Sequence, residues 1–598
     1  MRHKARKTGA GQRGGLSGNL PQEGGKGSGA RRLHGAADPG HVANAPAKGW
    51  NLTGGAMSHF LGVDVGTGSA RAGIFDAAGR LVATDSHPIA ATHPRDTYAQ
   101  QSSAGIWAAV CQATRGALQG SGLPASAIRG IGFDATCSLV VSGAGGVPVS
   151  IDPDGAEGQD VMLWMDHRAL ADAAGINAIG GAPLAHVGGR ISPEMELPKL
   201  RWLKRERPEA WAQATRFWDL PDWLVHRATG TELRSLCSTV CKWTYLGHLG
   251  QGGEGWDDAF LAAIGLGDLA RDGHAAIGAA MAPPGARAGG LSPQAAQELG
   301  LGPGTAVSIS LIDAHAGALG TLGVEMAEGL PERRLAVIAG PSTCHIALCD
   351  KALFVPGVWG PYFGVVLPDL WALEGGQSAA GALLDTIIAR HGASGPLAAQ
   401  AGAEGRRISD LIESHLAGMA AETATLTARR HVQPDFHGNR SPLAEPWRKG
   451  ALVGLGLSTD PDDLALDYLA AMQGLAYGTR QIIEAMRAAG AAVDTLVVSG
   501  GLARNALFLR ENADATGCRV VVPDQQEPVL LGCAMLGAVA SGAQPGLTQA
   551  MAAMAGGGRV ITPRGGEIGA YHDRKYSVFK RMQADYAAYV ALMEGDET

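Results

Sequence analysis

The chain alternates between short apolar runs and glycine-rich or polar turns, with longer stretches of helical periodicity between them. Phe60 to Val65 is apolar apart from Asp64 and sharply bounded, which predicts a buried strand. Gly66-Thr67-Gly68-Ser69 follows as a turn with two residues free to take positive φ. Ala70 to Phe75 predicts a second strand, and the Ala78-Gly79 turn leads into a third over Leu81 to Ala83. Gly105 to Leu118 has the period of an amphipathic helix. Ile128 to Phe133 reads as a further buried strand that ends in a polar cluster, Asp134 to Ser138, as strands do at ligand crevices. Leu163 to Arg168 repeats the idea, an apolar start followed by Asp166 and Arg168. Pro198 to Trp211 and Phe217 to Ala228 are expected to be helical, with their Trp side chains in the core rather than under a sugar.

Further on, Val307 to Gly323 predicts a strand running into a small-residue helix, with Asp313 at the junction. An acid there either lies in a cleft or caps the helix, and both readings stay open. Leu335 to Leu348 repeats the opening strand–loop–strand pattern about 270 residues later, which suggests a duplicated architecture around a shared cleft. Glu374-Gly375-Gly376 precede a predicted helix, residues 395–430 read as an Ala-rich helical insertion, and Leu466 to Ala489 as a long helix. A strand over Thr495 to Val498 enters Ser499-Gly500-Gly501, where the backbone can approach a phosphate or a flat ligand at a helix start. Arg519 to Val522 predicts another strand and Leu530 to Ala540 a small-residue helix, and 546–598 reads as a mostly helical extension.

Composition narrows the picture. A chain of 598 residues calls for two domains plus accessory segments. Residues 1–56 are basic, Gly-rich and without period, so a disordered tail is expected, with Met57 as the natural start. A net charge of -7 offers no basic field for nucleic acid or an anionic membrane. No run of about 18 apolar residues predicts a membrane span. The eight Cys form no C-x-x-C pair. Cys237 and Cys241 are one helical turn apart, yet no His or acid stands beside them in the sequence, so they read as buried thiols in a reducing cytoplasm.

The candidate chemistry lies in the loops. A turn rich in Gly, Thr and Ser presents N–H groups and hydroxyls as a phosphate requires, and Asp64 beside it is placed to hold hydrated Mg²⁺. An ordinary Gly-rich hairpin is the competing reading of that stretch taken alone. The G-x-x-x-x-G-K-[ST] signature of P-loop enzymes is absent. Gly250 to Gly255 matches G-x-G-x-x-G, but no strand precedes it, so a plain loop is expected.

Order adds what the pieces lack. The D-x-G-T hairpin, the D-A-T strand end, W-x-D-x-R, I-D-A-H-A-G, the second Gly hairpin and S-G-G-L-A-x-N together resemble the FGGY carbohydrate kinases over about residues 59–545. Stretches such as GFDATCSLVV, LWMDHRA, RSLCSTVCKWTY, EGGQS and PDFHGNRSPL are most similar to the pentulose-kinase, D-ribulokinase-like branch. The resemblance implies an α/β fold of two ribonuclease-H-like domains of the actin, Hsp70 and sugar-kinase type, closing on ATP and Mg²⁺. It implies an N-terminal domain over 57–325, on the sugar and phosphate–Mg²⁺ side, and a C-terminal domain over 326–545, on the adenosine side. By motif it makes Asp313 the catalytic base and Asp64 the metal residue. Asp134, Thr136, Cys137, Ser138, Asp166 and Arg168 fall to the sugar. Gly66, Thr67, Gly68, Ser69 and Arg71, with Gly340, Ser342 and Thr343, fall to the phosphates, and Gly375, Gly376, Gly500, Gly501 and Asn505 to the adenosine.

The implied reaction is ATP-dependent phosphorylation of a pentulose at its terminal hydroxyl, O5 of D-ribulose before other ketopentoses or pentitols such as ribitol. A chaperone-like or filament-forming ATPase and a binding-only homologue are the rival readings, and a second copy of the chain is a candidate partner. One departure stands out: the second loop reads Gly340-Pro341-Ser342 where the family has G-T-S or G-T-T. Proline removes a hydroxyl and an N–H, which predicts weak ATP binding.

Overall fold

The computed structural model describes residues 58–324, 331–525 and 527–594. The tail expected over 1–56, Met57 and the expected domain junction at 325 and 326 lie outside the described residues.

The first half begins with an antiparallel meander of β1 (His59–Val65), β2 (Ser69–Asp76) and β3 (Leu81–Pro88). α1 (Ser103–Ser121) follows; the Ser102 hydroxyl accepts from Gly105 N at its start, and left-handed Gly122 ends it. Its face of Ile106, Trp107, Val110, Ala113 and Ala117 is buried against the sheet. The chain returns as β4 (Ile128–Ala135), parallel to β1. After an insertion that contains α2 (Leu236–Trp243), β5 (Arg287–Gly290), β6 (Ala306–Ser308) and β7 (Leu311–Ile312) complete the sheet. The strand order is β5-β6-β4-β1-β2-β3, with β7 also paired to β4. α3 (Asp313–Leu322) leaves directly from β7.

The second half repeats this plan. β8 (Arg334–Ala339), β9 (Thr343–Cys349), β10 (Trp359–Phe363) and β11 (Trp371–Gln377) are antiparallel neighbours in the order β8-β9-β11-β10. The long α4 (Pro461–Ala488) leads to β12 (Thr495–Ser499), parallel to β8, and α5 (Ala506–Thr516) leads to β13 (Arg519–Pro523), parallel to β12. The order β11-β9-β8-β12-β13 thus matches β3-β2-β1-β4-β6 in sequence and in strand direction. The duplication expected from the two Gly hairpins is a duplication of whole ribonuclease-H-like sheets.

α6 (Pro528–Ala540) lies across β1 and β4 of the first sheet. A Cβ on Gly62 would overlap the Leu530 carbonyl, and one on Gly132 the Cys533 carbonyl, so only Gly admits the helix at this depth. α6 also crosses α3 backbone to backbone, with Gly320 against the Pro528 carbonyl and Gly532 against that of Ala316.

Several local expectations are corrected. The single helix read over Pro198 to Trp211 is two, Glu196–Glu206 and Pro208–Gln213, because Pro208 cannot continue a helix but readily starts one. Phe217 to Asp219 belongs to the strand Ala214–Asp219, paired with Leu139–Gly143, and the helix begins only at Leu220. The Trp side chains 202, 218 and 223 are core, as expected. Neither Gly66 nor Gly68 uses its freedom for positive φ. Beyond residue 546 the chain adds β14 (Gly558–Ile561), an edge strand on β13, before α7 (Gly566–Glu594). Among the described residues no helix is long and apolar enough to cross a membrane.

Candidate active site

Three carboxylates reach one edge of the first sheet from adjacent parallel strands. Asp64, next to last in β1, pairs in register with Asp134 of β4. On the far side of β4, Leu311 of β7 lies opposite the same Asp134, and Asp313 follows two residues later. Asp134 is fully buried, and its Oδ2 accepts the thiol hydrogen of Cys533, Sγ to Oδ2 2.7 Å. Burial, and then the charges of Asp64 and Asp313, push Asp134 well above the usual carboxylate range. Asp64 stays paired: Arg71, its register partner on β2, donates from Nε at 2.7 Å and reaches Glu527 from Nη1 at 2.8 Å.

Asp313 is the first residue of α3. Ile312 holds the N-cap position without a side-chain bond, and Asp313 Oδ1 accepts only from the adjacent Ala314 N at 2.7 Å. The capping reading left open by the sequence therefore does not describe it. Burial first, then the Asp64 charge, raises its pKa to about 6, with Ala314 N–H and Lys242 opposing. A carboxylate tuned to that value is ionised at neutral pH and still basic enough to take a proton from a hydroxyl.

A second set of charges, not singled out from the sequence, lies close by. Lys242, near the end of α2, is buried with its Nζ 4.6 Å from the Trp359 ring centroid. Arg440 lies 4.5 Å from the same indole and donates to Glu374 Oε1 at 2.7 Å. Burial would raise the Glu374 pKa, but Lys242, Arg440 and His315 outweigh it and hold the carboxylate below its usual range. Sequence carried a signal for two of these: Lys242 interrupts a helix of small and apolar residues, LCSTVCKW, and Glu374 sits in the middle of the strand WALEGGQ. Buried charges in such places are paired or functional.

The sugar-side residues divide into two groups. Thr136, Cys137 and Ser138 follow β4 directly, with Thr136 Oγ1 3.1 Å from Ser138 Oγ, which accepts from Trp164 N at 3.1 Å. The Cys137 thiol is pushed up by burial, with Lys242 opposing. Asp166 and Arg168 form an ion pair whose side chains are inaccessible to solvent. Asp166 also accepts from Ala99 N, and Arg168 donates to Gln100 and the Ile151 carbonyl and lies 4.1 Å from the Tyr98 ring. Their polar atoms are committed inside the protein, which fits a brace better than a sugar contact. That brace ends on the Gly66–Ser69 loop, since Trp164 Nε1 donates to Thr67 Oγ1 at 3.0 Å.

The nucleotide-side residues lie at strand ends of both sheets, with exceptions. The loop Gly66 to Ser69 closes with Gly66 N donating to the Ser69 carbonyl at 3.0 Å, and the space over Gly68 is open. Gly340 to Ser342 closes its counterpart between β8 and β9, with Gly340 N on the Ser342 carbonyl at 2.9 Å. Pro341 is exposed, and its carbonyl accepts from Ala380 N at 2.7 Å and Ala382 N at 3.1 Å. Thr343 turns inward, its Oγ1 accepting from Gln377 N at 3.3 Å. Gly500 lies against the Ala339 carbonyl with φ of 88°, whereas the space over Gly501 is open. Gly375 and Gly376 are inside β11, paired to His345 and Cys344, rather than before a helix. Asn505 is the N-cap of α5: Oδ1 accepts from Phe508 N at 2.8 Å, and Nδ2 donates to Glu413 at 2.8 Å. An open glycine cradle beside a carboxylate–guanidinium pair fits a triphosphate and its cation.

Residues 59–320 match the N-terminal domain of the FGGY family of carbohydrate kinases, and residues 335–541 match the C-terminal domain. A human FGGY carbohydrate kinase domain-containing protein is 46% identical over 549 residues, covering 90% of this chain and 98% of that one. A D-ribulokinase of Saccharomyces cerevisiae is 39% identical over 512 residues, 81% of this chain and 72% of the yeast protein. Among solved structures, a xylulose kinase from Rhodospirillum rubrum superposes with a TM-score of 0.70 at 20% identity, covering 89% of this chain and 99% of that one. With both domains matched in order and the strand plan duplicated as described, the chain belongs to the FGGY family of carbohydrate kinases and is a sugar kinase.

Proposed function

We propose that this kinase phosphorylates a pentulose at its terminal hydroxyl, with O5 of D-ribulose as the first choice. The observation that carries the reading is Asp313, raised to about 6 at the start of α3 and set between Asp64 and Lys242. Asp313 accepts the proton of the attacking hydroxyl, a contribution of about 10²–10⁴ in rate. Lys242, Glu374 and Arg440, with the hydroxyls at Thr136 and Ser138, pair the remaining sugar oxygens; a polar site of this kind rejects sugars that leave one of its groups unpaired. Asp166 and Arg168 hold the Leu163–Arg168 turn and, through Trp164, the loop at Thr67.

Asp64 would hold Mg²⁺, and the loops at Gly66–Ser69 and Gly340–Thr343, with Arg71, Gly500 and Gly501, would hold ATP. When bound, the nucleotide supplies the γ-phosphoryl group and the metal neutralises its charge. This gives residues 57–325 most of the sugar side and the metal, and 326–545 the adenosine side, the second phosphate loop and, through Glu374 and Arg440, part of the sugar pocket. A cytoplasmic setting goes with it, all eight cysteines being free.

The likeness to the yeast D-ribulokinase favours D-ribulose over L-ribulose, xylulose or ribitol. A panel of ketoses and polyols, read by coupled ADP release, tests the choice. D-ribulose is expected to give the highest kcat/KM, and a tenfold preference for another sugar overturns it. ATP turnover that ignores added sugar would favour a chaperone-like ATPase instead.

A further inference from the structure

We propose that Cys237, Cys241 and His315 form a binding site for a thiophilic divalent metal ion such as Zn²⁺, distinct from the nucleotide's cation. Cys237 and Cys241 stand four residues apart on α2, so both thiols leave one face of the helix. His315 meets them from the first turn of α3, far away in the sequence. This corrects the expectation that the two thiols have no histidine beside them. The ligand atoms of all three lie within 4.8 Å of one another, and Cys241 Sγ is 3.8 Å from His315 Nε2. Zn–S bonds of about 2.3 Å and Zn–N bonds of about 2.0–2.1 Å set tetrahedral edges of about 3.5–3.8 Å. Small side-chain adjustments therefore close the set around an ion.

Chemistry supports the geometry. All three side chains are fully buried, and two thiolates with one neutral imidazole neutralise a divalent ion, so the loaded site carries no net charge into the interior. A second cluster, His391, Asp463 and Asp467, is as compact, but Arg430 already pairs with both carboxylates. Among the described residues no Lys or Arg side chain is hydrogen-bonded to either thiol, and the neighbouring Lys242 lies over Trp359.

The site would join α2, whose penultimate residue is Lys242, to α3, which begins at Asp313. Three protein ligands leave a fourth position open, as in sites that keep a water. The inference does not depend on which sugar is phosphorylated.

The test uses the full chain, stripped with a chelator and titrated with Co²⁺ as probe. A near-ultraviolet thiolate-to-cobalt band with tetrahedral visible bands is expected at stoichiometric metal, displaced by Zn²⁺. Cys237→Ser and Cys241→Ser should each lose the band, and Cys111→Ser on α1 should keep it. No band in the unaltered protein, or a band that survives both substitutions, overturns the proposal. Should a variant fail to fold, alkylation of the unaltered protein with and without Zn²⁺ decides the matter. Protection of Cys237 and Cys241 among the eight thiols supports the site, and protection elsewhere or none refutes it.

Discussion

Asp64 and Asp134 stand opposite each other in the register of β1 and β4, the first paired to a guanidinium and the second to a thiol. The same residue type therefore meets two different partners a strand apart. Burial first, then the charges of Asp64 and Asp313, push Asp134 up towards the neutral form that its amide imitates. We expect Asp134→Asn to keep kcat within about tenfold, whereas Asp64→Asn, which loses the charge that faces Arg71, falls more than about a hundredfold. Steady-state kinetics with circular dichroism of both variants checks this.

The Asp313 base should be visible in the pH profile. It must be ionised to act, and its pKa of about 6 is above the free value, so activity is lost as pH falls through 6 and is full above it. A plot of log kcat/KM should rise with unit slope to about pH 6 and then level. Asp313→Asn should lower kcat by about 10²–10⁴ and abolish that limb. A residual activity with an unchanged limb would assign the base elsewhere.

Pro341 offers a gain of function. Its carbonyl is already used by Ala380 and Ala382, so replacement leaves the loop's anchoring intact while restoring one N–H and one hydroxyl. Recovery of one hydrogen bond to a charged phosphate, about 1–3 kcal/mol, predicts that Pro341→Thr lowers KM for ATP by fivefold or more without changing KM for the sugar. An unchanged or higher KM for ATP counts against it.

Lys242 and Glu374 should separate sugar from nucleotide. Lys242→Met removes the cation over Trp359 and leaves Glu374 with Arg440 and His315. KM for the sugar should rise at least about tenfold, the worth of one charged hydrogen bond, with KM for ATP little changed. Equal changes in both constants would place Lys242 outside the sugar pocket.

The two sheets were legible in the sequence because each buried strand is short, apolar and bounded by turns, and Asp313 was legible because it interrupts a strand-to-helix junction. Lys242, Glu374 and Arg440 come from α2, β11 and a loop after β11, so only the fold brings them to one indole. Their charges looked local in the sequence and are collective in space. The same holds for His315 beside Cys237 and Cys241, a pairing across 74 residues for the nearer thiol. Phe217 to Asp219 was misread because Trp and Phe at strand positions run without a break into a helix that starts with Pro. Asn505 matched a motif, yet its Oδ1 serves the helix it caps and its Nδ2 is committed to Glu413.

The α3–α6 crossing invites one further measurement. Gly320→Ala or Gly532→Ala places a methyl group on a facing carbonyl, and overpacking of this kind costs about 1–3 kcal/mol. A fall in Tm of several degrees is expected for either, measured by differential scanning calorimetry.

At Gly320 and Gly532 that crossing brings main chain to main chain, so at these two points the helices meet without side-chain branches between them. A bulky residue at either glycine would hold the two helices apart while leaving every group assigned to the reactants untouched.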